Sequence, residues 1–204
     1  AERVGTAVIA PWFSRRHYRG YQKLLCRDGT TRADLALIDI LDDFATRHGI
    51  DTSKVFLSGF SGGGQFAHRF ALFHADRVVA CATCAAGWYT HPTTDLAFPR
   101  GTHCGTGPDG IDPHPDAARV PMHIFVGSRD DVIDPNLNMN EDIVALQGVG
   151  RLTRARAWQE AMVAARGRHG SEVSLTVLPG LNHDFSRAMD HHALGRIVVE
   201  KFAI

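Results

Sequence analysis

The segment Val55-Phe56-Leu57-Ser58-Gly59-Phe60-Ser61-Gly62-Gly63-Gly64 limits what this chain can fold into more than any other stretch. An apolar, strand-like run enters a Gly-x-Ser-x-Gly pentapeptide, and an amphipathic helix leaves it over Gln65 to His74. A strand that turns within a few residues into a helix passes close to itself. The positions two before and two after the serine must then be small, and Gly59 and Gly63 meet that demand. The serine at the apex is held in a strained backbone conformation. The helix that starts there points free N–H groups and a positive dipole end at any oxyanion nearby. Ser61 is therefore a candidate nucleophile. The competing reading is a glycine-rich turn without chemistry. A phosphate-binding loop is excluded because no lysine follows Gly64. A dinucleotide-binding turn is excluded because Ser61 stands where its second glycine belongs.

A serine hydroxyl is a poor nucleophile unless a base activates it, and the base needs an orienting acid. The chain offers both at the ends of strand-like runs. Met122-His123-Ile124-Phe125-Val126 leads into Gly127-Ser128-Arg129-Asp130-Asp131-Val132-Ile133-Asp134. A carboxylate just past the C-terminal end of a parallel strand shares a sheet edge with the serine turn. Asp130 is the first choice, Asp131 the local rival and Asp134 a weaker one; an aspartate here could equally cap the next helix. Val173-Ser174-Leu175-Thr176-Val177-Leu178 alternates like a strand and enters Pro179-Gly180-Leu181-Asn182-His183-Asp184-Phe185. Among twelve histidines, His183 alone combines strand end, loop and chain order. His191 and His192 are placed inside a helix, and His48 and His74 near helix C-termini.

The segments Gly59-Phe60-Ser61-Gly62-Gly63, Gly127-Ser128-Arg129-Asp130 and Pro179-Gly180-Leu181-Asn182-His183-Asp184-Phe185 together resemble the α/β-hydrolase superfamily. Within it they are most similar to the esterases related to poly(3-hydroxybutyrate) depolymerases. The likeness runs from Gly5 to Phe202. It implies Ser61 as nucleophile, Asp130 as acid, His183 as base and the Gly62 N–H as one oxyanion donor. It also implies cleavage of a carboxylic ester through an acyl-enzyme, without a cofactor. The alternatives are a peptidase or thioesterase using the same three residues, or a non-catalytic binding protein on the same fold.

A chain of 204 residues suits one domain that buries about 70% of its unfolded surface. Acidic and basic residues balance at 22 each, and no basic run suggests nucleic acid. No stretch is long and apolar enough to span a membrane. The partner expected is a small or polymeric ester; the oligomeric state is open. A cytoplasmic location is favoured over secretion, which stays in play because Ala1 rather than Met opens the sequence. Four cysteines are too few for a disulfide framework, and Cys81 and Cys84 suit a buried strand. Cys104 with His91, His103, Asp112 and His114 is weighed as a metal site and set aside for lack of ligand spacing.

Along the chain, Thr6 to Ala10 reads as a strand stopped by Pro11. Thr31 to His48 reads as a helix with Leu37, Ile38, Leu41, Phe44 and Ala45 on one face and Gly49 at its end. Val78 to Ala86 is a strand, and Leu152 to Arg168 and Ser186 to Phe202 are helices. Strands alternating with helices predict an α/β fold with a mostly parallel sheet covered on both faces. Residues 87–120, rich in Pro, Gly, His and Asp, are expected to form a long substrate-side loop. Trp88 and Tyr89 at its start are candidate pocket residues, as are Trp12, Phe13 and Phe60, with packing favoured for Trp12 and Phe13. Counting elements back from Val55 leaves no strand to carry a second oxyanion donor. The sheet is therefore expected to lack its N-terminal strands, the chain being a piece of a longer polypeptide or being completed by another segment. A donor from the loop at Trp12 and Phe13 is the alternative.

Overall fold

A computed structural model describes residues 5–26, 28–103 and 112–202. Helix α1 (Ala33–His48) precedes strand β1 (Val55–Phe60) and helix α2 (Gly62–Phe73). Then come β2 (Val78–Cys84), β3 (Met122–Gly127), α3 (Glu141–Gln147), α4 (Arg151–Arg166), β4 (Val173–Leu178), α5 (Phe185–Asp190) and α6 (Leu194–Lys201). The four strands form one sheet in the order β1-β2-β3-β4, and every pairing is parallel. Parallel pairing puts all four C-terminal ends on one edge, where the loops after β1, β3 and β4 meet.

Side-chain alternation divides the apolar residues between two faces. Cys81, Met122, Ile124 and Val126 join Leu37, Leu41, Phe66, Phe70 and Trp158 on the face covered by α1, α2 and α4. Ala80, Ala82, Cys84 and Phe125 join Ala188, Leu194 and Val198 on the face covered by α5 and α6. The sheet is thus sandwiched between helices, as the alternation of elements predicts. Among the described residues no helix is long and apolar enough to cross a membrane.

Three sequence expectations need correction. Thr6 to Ala10 forms no strand. Among the described residues it has no ladder partner: instead of pairing with β1, it lines with it a cleft of about 650 Å³, which also touches Phe13, Tyr21 and Phe66. A strand without a partner leaves its backbone groups to water. The helix expected over residues 186–202 is two helices, because Ala193 adopts φ 50° and breaks the ladder. His191 and His192 therefore lie at the break rather than inside a helix. Helix α3, too short to show a periodic stripe, was not anticipated; Asn140 caps it by accepting from the Asp142 N–H.

The described parts of residues 87–120 are less loose than their composition suggests. Gly87 to His91 are buried, and Pro115–Arg119 form a 3-10 turn. Cys104 lies outside the described residues, as does the start of the chain before Gly5. Among the described residues no cluster of His, Cys, Asp and Glu has the makings of a metal site.

Candidate active site

Ser61 occupies the sharp turn between β1 and α2 with φ 53° and ψ −113°, a region that costs an L-residue roughly 1–3 kcal/mol. The turn is over-determined. The Ser61 N–H donates to the Cys84 carbonyl at the end of β2 (2.8 Å). A Cβ on Gly59 would lie 2.2 Å from the Gly63 carbonyl oxygen, so the glycine two before the serine is obligatory. The glycine two after it is not, for a Cβ on Gly63 would meet nothing within 4 Å. The second tight position is Gly64, whose Cβ would press on the Cys84 and Gly59 carbonyls at 2.9 and 3.0 Å. Gly62 is the first residue of α2, so its N–H falls outside the intrahelical ladder and points past Ser61.

The loops after β3 and β4 are stitched to each other. Ser128 and Arg129 donate their N–H groups to the Leu178 and Leu181 carbonyls, and the Ser128 hydroxyl accepts from the Gly180 N–H. A Cβ on Gly127 would stand 2.1 Å from the Leu181 oxygen; only glycine lets the β4 loop cross here. This crossing delivers His183 to the serine. The Ser61 hydroxyl and His183 Nε2 are 3.0 Å apart, and His183 Nδ1 lies 2.9 Å from Asp130 Oδ2. A carboxylate only accepts, so Nδ1 carries the proton, and Nε2 is left to accept from the Ser61 O–H.

Asp130 is buried, and its other oxygen accepts from Arg151 Nη1 at 3.3 Å. The same nitrogen bonds Asp134 at 2.7 Å, and that hydrogen bond holds the Asp134 carboxyl below the usual carboxylate range. Asp131 points elsewhere. Its Oδ1 accepts the N–H groups of Leu152 and Thr153 (3.0 and 3.2 Å), capping α4 from a distant loop. The capping role weighed for these aspartates is thus filled by Asp131, and the ion pair with Arg151 by Asp134.

Of the aromatic candidates, Phe60 stacks on the His183 ring (5.2 Å between centroids) and meets Phe185 edge-on. Trp88 and Tyr89 lie in the core. Arg69 covers the Trp88 ring, and Tyr89 stacks on Trp158 while its backbone exchanges two hydrogen bonds with the Gln147 amide. Trp12 is 89% exposed, and Phe13 packs among Tyr18, Tyr21 and Phe66. Arg151 is not legible from sequence, because a single arginine 21 residues beyond the aspartate it pairs with carries no pattern.

The family model described as alpha/beta hydrolase fold matches residues 31–187. The chain is 27% identical to the poly(3-hydroxybutyrate) depolymerase LpqC from Bordetella parapertussis, with a TM-score of 0.68 over 91% of this chain and 72% of that one. Poly(aspartic acid) hydrolase-1 from Sphingomonas sp. KT-1 shares the fold at 21% identity, with a TM-score of 0.68 over 89% of this chain and 70% of its own. An S-formylglutathione hydrolase from Agrobacterium tumefaciens matches at 18% identity, with a TM-score of 0.50 over 90% of this chain and 63% of its own. No curated protein sequence matches the chain. The match over most of the sequence and the parallel sheet agree: this chain belongs to the α/β-hydrolase family.

Proposed function

We infer that the chain is a serine hydrolase that cleaves carboxylic esters through an acyl-enzyme. The observation that carries this is the unbroken line Ser61–His183–Asp130, at 3.0 and 2.9 Å, on the C-terminal edge of the sheet. His183 removes the proton as Ser61 Oγ bonds to the carbonyl carbon, and the carbonyl π electrons move to oxygen. As the tetrahedral adduct collapses, the bond to the leaving alcohol breaks and His183 returns the proton to it. Water, deprotonated by His183, then releases the acid by the same steps in reverse roles. Asp130 orients the ring and offsets its charge, and Gly62 supplies an oxyanion donor. No step calls on a cofactor.

The depolymerase likeness at 27% identity favours an ester as the bond cleaved. Phe60 and Phe185 beside His183 offer an apolar wall for one side of it. A fluorophosphonate probe should label Ser61, and Ser61→Ala or His183→Ala should lower kcat on a reactive ester by roughly 10⁴–10⁶. A panel of p-nitrophenyl esters, thioesters and peptide anilides should give turnover on the esters first. Full activity in either variant, or an unlabelled Ser61, would remove the assignment.

A further inference from the structure

An oxyanion held by a single N–H is half served, because two donors can reach the two lone-pair directions of the oxygen. The Gly62 N–H is one. A hydroxyl lies close to Gly62, on an element that sequence patterning did not single out. Tyr21 opens a 3-10 turn, Tyr21–Lys23, that packs on the start of α2. Its hydroxyl oxygen lies 3.0 Å from where a Cβ on Gly62 would be. A helical Cα–Cβ bond tilts toward the helix N-terminus, the direction in which the free first-turn N–H groups also point. The hydroxyl therefore lies beside Gly62 in the first turn of α2, the turn that follows Ser61.

Resting on the serine-hydrolase reading, we propose that the Tyr21 hydroxyl is the second oxyanion donor, acting together with the Gly62 N–H. Three features fit the role. First, the position is fixed in advance. The Tyr21 ring is stacked on Phe13 (5.1 Å) and tilted against Phe66 (6.1 Å). The buried Arg69 of α2 donates to the Gln22 carbonyl at 2.6 Å, tying the turn to the same helix that carries Gly62. Leu24 closes the turn at φ 65° while fully buried, so the strained backbone is held by the core. Second, the hydroxyl has no hydrogen-bond partner among the described residues, so its proton is available to an oxyanion. Third, burial raises the Tyr21 pKa, so the group keeps its proton and remains a donor across the working range of the enzyme. No proton is transferred from it; the O–H donates a hydrogen bond that strengthens as charge builds on the substrate oxygen.

Such a donor acts on the transition state and leaves substrate binding alone. Tyr21→Phe keeps the ring and its packing and should lower kcat roughly 10²–10³-fold with KM little changed. A boronic-acid inhibitor, which forms a tetrahedral oxyanion on Ser61, should lose affinity in parallel. Gly62→Ala, which drives a methyl into the hydroxyl, should lower kcat as well. Wild-type kcat in Tyr21→Phe with an inactive Ser61→Ala would overturn the Tyr21 assignment and leave the triad standing. A Tyr21→Phe loss confined to KM would overturn it too. An active Ser61→Ala would instead sink the underlying triad.

Discussion

Replacing Asp130 by asparagine exchanges one oxygen for an amide nitrogen and barely alters the shape. Its consequence can be worked out from the two partners of that side chain. Oδ2 faces His183 Nδ1 at 2.9 Å, and Oδ1 faces Arg151 Nη1 at 3.3 Å. Arg151 can only donate, so an asparagine at 130 must turn its carbonyl oxygen toward Arg151. The amide NH₂ then faces His183 and requires Nδ1 to be the acceptor. The imidazole proton moves to Nε2, and the nitrogen next to Ser61 can no longer take its proton. The expected loss in kcat is about 10⁴-fold, or roughly 5.5 kcal/mol of barrier. Asp131→Asn is the matched control. Asparagine caps a helix about as well as aspartate, so α4 keeps its acceptor and the rate should stay within a few fold of wild type. The assay is turnover of a p-nitrophenyl ester by both variants, with thermal unfolding to establish that each is folded. If Asp130→Asn kept more than a tenth of the wild-type rate, the amide-orientation argument would fail. If the two losses were reversed, Asp131 would be the acid.

At the turn itself, Gly59→Ala should abolish activity and lower the unfolding temperature, since its Cβ meets the Gly63 backbone at 2.2 Å; Gly63→Ala should fold and turn over normally, and an equal effect of the two would refute the contact. Buried Asp34 offers a pH test. Burial raises its pKa, but hydrogen bonds from Arg32 and His74 outweigh that and bring it down to about 2. A carboxyl whose folded pKa lies below its unfolded value stabilises the fold above the unfolded pKa, and that contribution fades as pH falls from about 4 to about 2. Urea unfolding should show wild type losing about 2 kcal/mol more than Asp34→Asn over that interval; parallel losses would remove Asp34 from the account. His68 gives a second signal, because full burial pushes its pKa well down while its Nδ1–H donates to the Gly64 carbonyl and Nε2 accepts from the Thr90 N–H. The unfolded chain then binds the extra proton, so stability should begin to fall below about pH 6.5 in wild type and less so in His68→Gln.

The three segments that carry Ser61, Asp130 and His183 were readable because each is punctuated: an apolar run, a glycine, then a polar residue. The parallel sheet followed from the alternation of those runs with 3.6-period stripes. What failed was tertiary in origin. Thr6 to Ala10 is a short apolar run of the kind that forms strands, yet a strand exists only where another supplies hydrogen bonds. Residues 186–202 have a continuous helical stripe, yet Ala193 turns left-handed between α5 and α6, and alanine gives no warning of a positive φ. Trp88 and Tyr89 follow a strand end, as pocket residues often do, but their burial depends on Arg69, Gln147 and Trp158, each far away in sequence.

Arginine is where composition misleads most about this molecule. Arg69, Arg151, Arg154 and Arg166 are all buried, against the expectation that a guanidinium belongs at the surface. Each binds irregular backbone or an acid across a long sequence gap. Arg69 holds the Gln22 carbonyl; Arg154 holds the Gly87, Asn138 and Gly148 carbonyls; Arg166 holds those of Ala117, Val120 and Ser171. Arg151 holds Asp130 and Asp134. Loop carbonyls have no ladder to satisfy them, and leaving one buried and unpaired costs about 1–3 kcal/mol. A five-donor fork on a helix meets several of them at once, with helix α2 or α4 as its rigid base. Loops at both edges of the sheet are therefore tied to helices as well as to each other. Removing one such fork should loosen a loop without melting the core. For Arg151→Met, Asp130 and Asp134 lose their shared cation and His183 loses part of its anchor; kcat should fall, and the unfolding temperature should fall too because a buried carboxylate loses its donor. Arg151→Lys, which restores the charge but not the fork, should recover part of that loss. Unchanged kcat in Arg151→Met would show that Asp130 is held by its own loop alone.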